Sequence, residues 1–379
     1  MVSEEITGIV NGLKDEIKDI FDKIKMNYKI NEYDDLSLIE QDSFSIGNVK
    51  IKNPVVSAPM AGISDNTYRI FARCFGSSLQ YSEMVSSYGI FYRNAKSMDM
   101  VHVTDFEKPF ALQLFGSKPE IIANAASIVQ EKTDIIDINM GCPVPKVLKT
   151  GSGGALLREE DLIKKIIKSL RKTINKPLTV KLRLGWDNTT INIDRTVKIA
   201  ESEGVDAVAV HARTVKQGYS GDANYSILKE LKGKIKIPLI ISGDIEEPFK
   251  ALKVLNETGA KAVMIGRAAR GNPWVFMEIL TGIILMIRGI IDESDIFLQK
   301  KFKKDIAYFL NNDIKVKILI LYVKSLIDFM GEEKAVKEFR KILGWAFKGM
   351  RNINDIKKEF FNVKDFEEVC KVLNKIAGM

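Results

Sequence analysis

Residues 134–143 read DIIDINMGCP, an apolar run that ends abruptly at a glycine, a cysteine and a proline. Ile135, Ile136 and Ile138 place apolar side chains on both faces of an extended segment, the pattern of a strand buried on both sides in a parallel sheet. Gly141 and Pro143 then break the strand and fix a turn, leaving the Cys142 thiol at the strand's C-terminal end. Such a strand needs parallel neighbours and helices to cover it.

Seven similar runs supply the neighbours: NPVVSAPM (53–60), LQYSEM (79–84), PFALQLFG (109–116), PLTVKLRLG (177–185), DAVAVHAR (206–213), IPLIISGD (237–244) and KAVMIGR (261–267). Most are separated by segments of helical periodicity, among them 118–132, 158–174, 191–204 and 246–258. Eight β/α units in about 220 residues predict a closed (β/α)8 TIM barrel rather than an open doubly wound sheet. After about residue 280 the strands cease, and 299–310, 313–330, 332–350 and 353–378 are helical in pattern. The expected fold class is therefore α/β, a TIM barrel over 46–280 followed by an all-helical C-terminal domain over 281–379.

Ahead of the barrel, Ile6, Ile9, Val10, Leu13, Ile17, Ile20, Phe21 and Ile24 recur at helical spacing. They predict one amphipathic helix within an N-terminal helical extension, residues 1–45, capping the main domain. A polar stretch, NEYDDLSLIEQDS (31–43), connects it to the barrel.

The chain has 379 residues, 57 of them Lys or Arg against 49 Asp or Glu, for a formal net charge of +8. That balance favours a polyanionic partner, and the C-terminal segments carry much of it in KKFKK (300–304), Lys315, Lys317, Lys334, Lys337, Arg340 and Lys341. The three cysteines, Cys74, Cys142 and Cys370, have neither CxxC pairing nor metal-ligand spacing, so no disulfide framework and no structural metal is expected. The longest apolar stretch, ILTGIILMIRGII (279–291), is too short to span a membrane and contains Arg288. The first residues, MVSEEITGIVNGLKDEIKDI, mix acids and lysines throughout, unlike a signal peptide. A reducing, cytoplasmic setting without membrane attachment is the expectation.

In a TIM barrel the chemistry lies at the C-terminal ends of the strands. The loops after strands 7 and 8 form the usual phosphate site, and Gly243 and Gly266 there permit close backbone approach while Arg267 adds charge. Lys181 sits in an apolar run, and a lysine turned into the helix layer would be an unpaired buried charge, so it is expected to face the barrel mouth. An anion or an electron-rich ring should await it. His211, one of two histidines, ends strand 6, where it can serve a phosphate or a ring; His102 falls in a predicted loop. Cys142 can act as proton donor or as nucleophile, although a free thiol with a pKa of about 8.5 is mostly protonated at neutral pH and no histidine adjoins it in sequence. GSGGALL (151–157) lacks the third glycine and the preceding strand of a dinucleotide-binding turn, so any nicotinamide must reach the same mouth.

In order along the chain stand PMAG (59–62), LQLFG (112–116), NMGCP (139–143), VKLRLGW (180–186), HARTVKQGYSG (211–221), SGDI (242–245) and MIGRAARGNPW (264–274). With these motifs the chain resembles the tRNA-dihydrouridine synthases from about Ile46 to Trp274. A fainter similarity continues in EFRKILGWAFKG (338–349), where Ile342 and Ala346 occupy the family's histidine and tyrosine positions.

The resemblance implies reduction of the C5=C6 bond of particular uridines in tRNA, with FMN as cofactor and NADPH as reductant. It implies that Pro59, Met60 and Ala61 line the flavin, that Gln113 and Lys181 contact its ring, and that His211, Ser242, Gly243, Asp244, Gly266 and Arg267 hold its phosphate end. Cys142 would give the proton to C5 as hydride reaches C6, and Asn139, Arg183 and Arg213 would face flavin or uridine. Ser242 stands where many members have asparagine. A flavin barrel acting on free pyrimidines would share the thiol yet leave the lysine-rich helical segment unexplained. An RNA-binding barrel without catalysis would leave Lys181, Cys142 and the two glycines unexplained.

Overall fold

The computed structural model describes residues 4–28, 43–292, 294–351 and 353–378, so the polar stretch 31–43 lies almost wholly outside the described residues. All eight expected strands form. They are β1 (Val55–Ser57), β2 (broken into Gln80–Tyr81 and Val85–Ser86), β3 (Phe110–Phe115), β4 (Ile135–Asn139), β5 (Leu178–Arg183), β6 (Ala207–His211), β7 (Leu239–Ser242) and β8 (Ala262–Ile265). Every pairing is parallel, in the order β1-β8-β7-β6-β5-β4-β3-β2. The last seam, between β1 and β2, is bridged by Ser57 N–H to Leu79 O at 3.0 Å and Ser78 N–H to Val55 O at 2.8 Å.

Because side chains alternate across a strand, each run sends odd and even residues to opposite layers. Val180, Leu182, Val208, Val210, Ile241 and Ile265 point outward into the large core shared with the helices. Val56, Tyr81, Ala111, Ile135, Ala207, Ala209, Ile240, Ala262 and Met264 point inward and fill the barrel. A two-stranded hairpin, Phe44–Ile46 paired with Val49–Ile51, adds Ile46 and Ile51 to that inner core.

Lys181 and Arg183 are two and four residues beyond the inward-facing Thr179, so period two carries them to the mouth. Lys181 thus stays out of the helix layer and borders the mouth.

Helix Val275–Ile287 is continuous across the boundary expected at 280/281 and packs on helix Pro248–Thr258, where a Cβ on Gly282 would come within 2.3 Å of Pro248 Cβ. The apolar stretch at 279–291 is thus largely a buried helix. No helix among the described residues is long and apolar enough to cross a membrane.

Beyond it lie Ile296–Phe309, Asn312–Met330, Glu332–Ala346, Ile353–Phe361 and Phe366–Ala377. The segment of helical pattern over 353–378 forms two helices. Val363 is buried and its carbonyl accepts from Arg340 Nη2 at 3.2 Å, while Asp365 restarts the helix as an N-cap for Glu368 N–H at 2.9 Å.

Helix Asn312–Met330 fastens this region to the barrel helix Asn66–Cys74, through a buried Thr67–Ser325 hydroxyl pair at 2.9 Å and the Phe71–Tyr322 rings at 4.8 Å. The N-terminal helix, Glu4–Asn27, buries its apolar stripe not on the barrel alone but also against Asn312–Met330 and Ile296–Phe309. Glu16 faces Lys317 at 3.4 Å, and Asn27 and Tyr28 both donate to Asp305 at 2.8 Å.

Candidate active site

The turn that carries Cys142 is built by one side chain. Asn139 Oδ1 accepts from Gly141 N–H at 3.2 Å and Cys142 N–H at 2.9 Å, which folds the chain back just past β4. Gly141 suits the close approach of the next strand, since an added Cβ would lie 3.1 Å from Leu182 C and 3.3 Å from Leu182 O. Asn139 Nδ2 donates to Gln113 Oε1 at 2.8 Å, and Gln113 Nε2 donates to Asp137 Oδ2 at 2.6 Å. Thr179 Oγ1 donates to the other Asp137 oxygen at 2.6 Å.

An ionised carboxylate only accepts, so Asp137 sets which way the Gln113 amide points, and Gln113 in turn sets Asn139. Burial pushes the Asp137 carboxyl up to about 6, against the pull of Gln113, Thr179 and the nearby Lys181, which leaves it mainly ionised at neutral pH.

Above this chain of amides opens a cleft with two lobes. The larger, about 510 Å³, is lined by Cys142 with Gln113, Asn139, Lys181, Arg183 and Arg270, among others. The smaller, about 90 Å³, is lined by Ser242, Gly243, Asp244 and Gly266. Pro59, Met60, Lys181, His211, Tyr219 and Arg267 border both, and Ala61 borders the larger.

Burial and then Arg183 lower Lys181 to about 8, and among the described residues it has no hydrogen-bond or ion-pair partner. Burial first, then Lys181, Arg183, Arg213 and Arg267, push the His211 imidazole far below its ordinary value, so it is neutral. Arg213 Nη1 lies 3.3 Å from His211 Nε2; a guanidinium only donates, so Nε2 accepts and the proton sits on Nδ1. Burial raises the Cys142 thiol above the ordinary range, against the smaller lowering by the Val144 N–H, Arg183 and Lys181.

Gly243 has φ +116°, and an added Cβ would come within 2.9 Å of His211 Cδ2, so this backbone approach demands glycine. At Gly266 the nearest atom to such a Cβ is Ala58 Cβ at 3.5 Å, which imposes no such demand.

This barrel matches known proteins along most of its length. The profile of the family described as dihydrouridine synthase (Dus) covers residues 56–378. The proteins named tRNA-dihydrouridine synthase B from Xanthomonas axonopodis pv. citri and Vibrio vulnificus are each 36% identical, over 80% and 83% of this chain and 86% and 92% of theirs. The protein of that name from Pseudomonas aeruginosa is 34% identical over 86% of this chain and 93% of its own.

The chain belongs to the dihydrouridine synthase family.

Among solved structures, histamine dehydrogenase from Rhizobium sp. 4-9 superposes with a TM-score of 0.52 at 12% identity. It covers 67% of this chain while the chain spans 49% of that protein, a likeness in barrel fold alone.

Within this dihydrouridine synthase, every singled-out site residue except Arg213 lines the cleft. Arg213 is 2% exposed and its guanidinium is engaged by Asp244 Oδ2 at 2.6 Å, Gly221 O at 2.5 Å and Ser220 O at 3.3 Å. Its hydrogen bonds fasten the 218–221 turn to Asp244. Asp244 also accepts from Arg267 Nη2 at 2.7 Å.

Three residues went unnoticed in the sequence. Asp137 shares the inward phase of Asn139 in DIIDIN, a signal legible once strand phase is assigned. Tyr219, 57% exposed, stands under the Arg183 and Arg267 guanidiniums at 5.5 and 4.8 Å. Arg270 follows Arg267 in the same segment after β8. Neither of these last two carries a periodicity signal, because both are on turns.

Proposed function

We propose that this chain reduces the C5=C6 bond of particular uridines in tRNA, with FMN as its flavin and NADPH as the reductant. The observation that carries the reading is the placement of the Cys142 thiol and Lys181 on one cleft that continues into a cationic, glycine-bordered lobe. A family membership in which the matched relatives are named tRNA-dihydrouridine synthase B supports the substrate.

The residues present fit a phosphate-bearing planar ring. Ser242 Oγ is buried with no hydrogen-bond partner among the described residues, and it borders the small lobe beside Gly243. Lys181, Arg183, Arg213 and Arg267 give that end of the cleft more positive than negative side chains, with Asp244 and Glu246 opposing them. We assign His211, Ser242, Gly243, Asp244, Gly266 and Arg267 to the phosphate end, and Pro59, Met60, Ala61, Gln113 and Lys181 to the ring.

FMN, when bound and reduced, supplies hydride for uridine C6. Lys181 offers positive charge to the electron-rich ring. Cys142 supplies the other half of the reduction. Its Sγ–H bond breaks, the proton goes to C5, and the thiolate left behind faces Arg183 and Lys181. The raised thiol pKa keeps that proton in place at neutral pH until it is needed. Asp137, Gln113 and Asn139 hold the turn that aims the sulfur, and Asn139 and Arg183 border the space left for uridine.

A uridine within a folded tRNA must leave its stack to reach this depth, at a cost of a few kcal/mol. We assign residues 281–379, with their lysines, to gripping the tRNA backbone while this happens, residues 46–280 to flavin and catalysis, and 1–45 to a helical extension. A cytoplasmic location fits a tRNA substrate.

The test is incubation of purified chain, FMN and NADPH with unmodified tRNA transcript, followed by mass mapping. A gain of two hydrogens at one uridine, in a sample with a flavin spectrum, is the expected result. Flavin bound without any gain, but with turnover of a free pyrimidine, would move the reading to a small-molecule flavin enzyme.

A further inference from the structure

Arg270 is a cation at the cleft for which the reaction just described has no use. It borders the larger lobe with Cys142 and does not border the lobe of Gly243 and Gly266. Its Nε is weakly engaged by Arg267 O at 3.3 Å, and its terminal nitrogens find no acceptor or carboxylate among the described residues. Its Cζ lies 5.2 Å from the centre of the Trp345 ring.

Trp345 belongs to helix Glu332–Ala346 of the C-terminal region, so the guanidinium is carried by the barrel and supported by the helical part. The joint is tight. Gly271 has φ +62°, and a Cβ there would come within 2.6 Å of Ile342 O and 2.7 Å of Ala346 N. Ile342 and Ala346, the two departures from the family motif, thus present backbone to this glycine. The same helix reaches the other side of the mouth, where Lys341 Nζ donates to Gly62 O at 2.8 Å.

We propose that Arg270, held on the Trp345 indole, is a binding site for a tRNA backbone phosphate next to the target uridine. This rests on the reading above and deepens it. An arginine stacked on an aromatic face keeps its terminal N–H fork free and pre-set, the geometry that suits a phosphate. It stands at the thiol lobe, where the strand enters, and not at the lobe assigned to the flavin phosphate. Its place between barrel and helical region makes phosphate capture dependent on both being correctly joined.

The experiment measures tRNA binding by the full FMN-loaded chain across a salt series, alongside kinetics and flavin content. For Arg270→Gln the expected result is about a tenfold rise in tRNA Kd near physiological salt and a salt slope smaller by about one. The kinetic loss should fall on KM rather than kcat, with flavin content as in wild type. Arg270→Lys should restore the slope but only part of the affinity, since it keeps the charge and loses the stacked fork.

An unchanged Kd and slope in Arg270→Gln would overturn the assignment and leave Arg270 as packing for Trp345. So would a loss of flavin, which would place Arg270 with the cofactor. Failure of the underlying reading looks different: there the wild-type chain itself forms no dihydrouridine.

Discussion

The two ends of the barrel interior are made by the same strands and the same inward face, yet they have opposite chemistry. Toward the N-terminal ends of their strands lie Ile135, Ala207, Ala209, Ile240 and Ala262, small or aliphatic side chains that close the interior. One or two inward steps further along stand Asp137, Asn139, Lys181, His211 and Ser242, which hold or border the cleft. A displacement of two residues along a strand therefore separates packing from chemistry. The period of the strand explains why neither set intrudes on the other.

Breaking the upper level should have the largest effect at Cys142. Cys142→Ala should retain flavin and lose about 10²–10⁴-fold in uridine reduction, the usual worth of a positioned acid. Flavin-loaded variant protein turning over at the wild-type rate would remove the thiol from the reaction.

Asp137 tests whether the amides need their anchor. Asp137→Ala strands the Thr179 hydroxyl and the Gln113 amide without an acceptor, and should cost roughly 1–3 kcal/mol of stability. It should also lower kcat more than it raises KM for tRNA, because the Cys142 turn loses its fixed direction. A kcat equal to that of wild type, measured below the melting temperature, would show that Asn139 holds the turn unaided.

At Gly243 the comparison concerns backbone. Gly243→Ala forces a left-handed φ on a residue with a Cβ and crowds His211, at a cost of order 1–3 kcal/mol. FMN titration should show weakened binding, while tRNA binding measured without flavin stays near wild type.

Lys181 sharpens the comparison through pH. With its folded pKa lowered to about 8, the lysine contributes stability that is present above its ordinary value and lost as pH falls through about 8. Below that pH it is a half-buried cation awaiting an anion. FMN affinity should therefore fall as pH rises past about 8, and Lys181→Met should flatten both this profile and the alkaline rise in stability of the flavin-free chain. A wild-type affinity that is level from pH 7 to 9 would show that Lys181 does not meet the flavin.

The smallest effect is expected at the lower level. Ile240→Val should cost about 0.5–1.5 kcal/mol in thermal unfolding and leave FMN affinity alone, two residues away from Ser242. A change in flavin binding there would mean the two levels are coupled.

Sequence alone determined the barrel, because eight doubly buried strands are written as local apolar runs with breaks at their ends. It also placed Cys142, Lys181 and His211 at one mouth, since strand phase and strand end are local properties. The division of 353–378 into two helices was not legible, because at the break the Val363 carbonyl is held by Arg340, which reaches it from another helix.

Arg213 shows the same limit at the site. Its position at the end of β6 is local, but its engagement by Asp244 and Gly221 depends on loops brought together only by closure. Asp137's hold on Gln113 and Asn139, and Arg270's seat on Trp345, likewise join residues far apart in the chain. Periodicity tells which way a side chain points; which partner it meets depends on register between strands and on how the helical region docks, and both are decided by packing of the whole molecule.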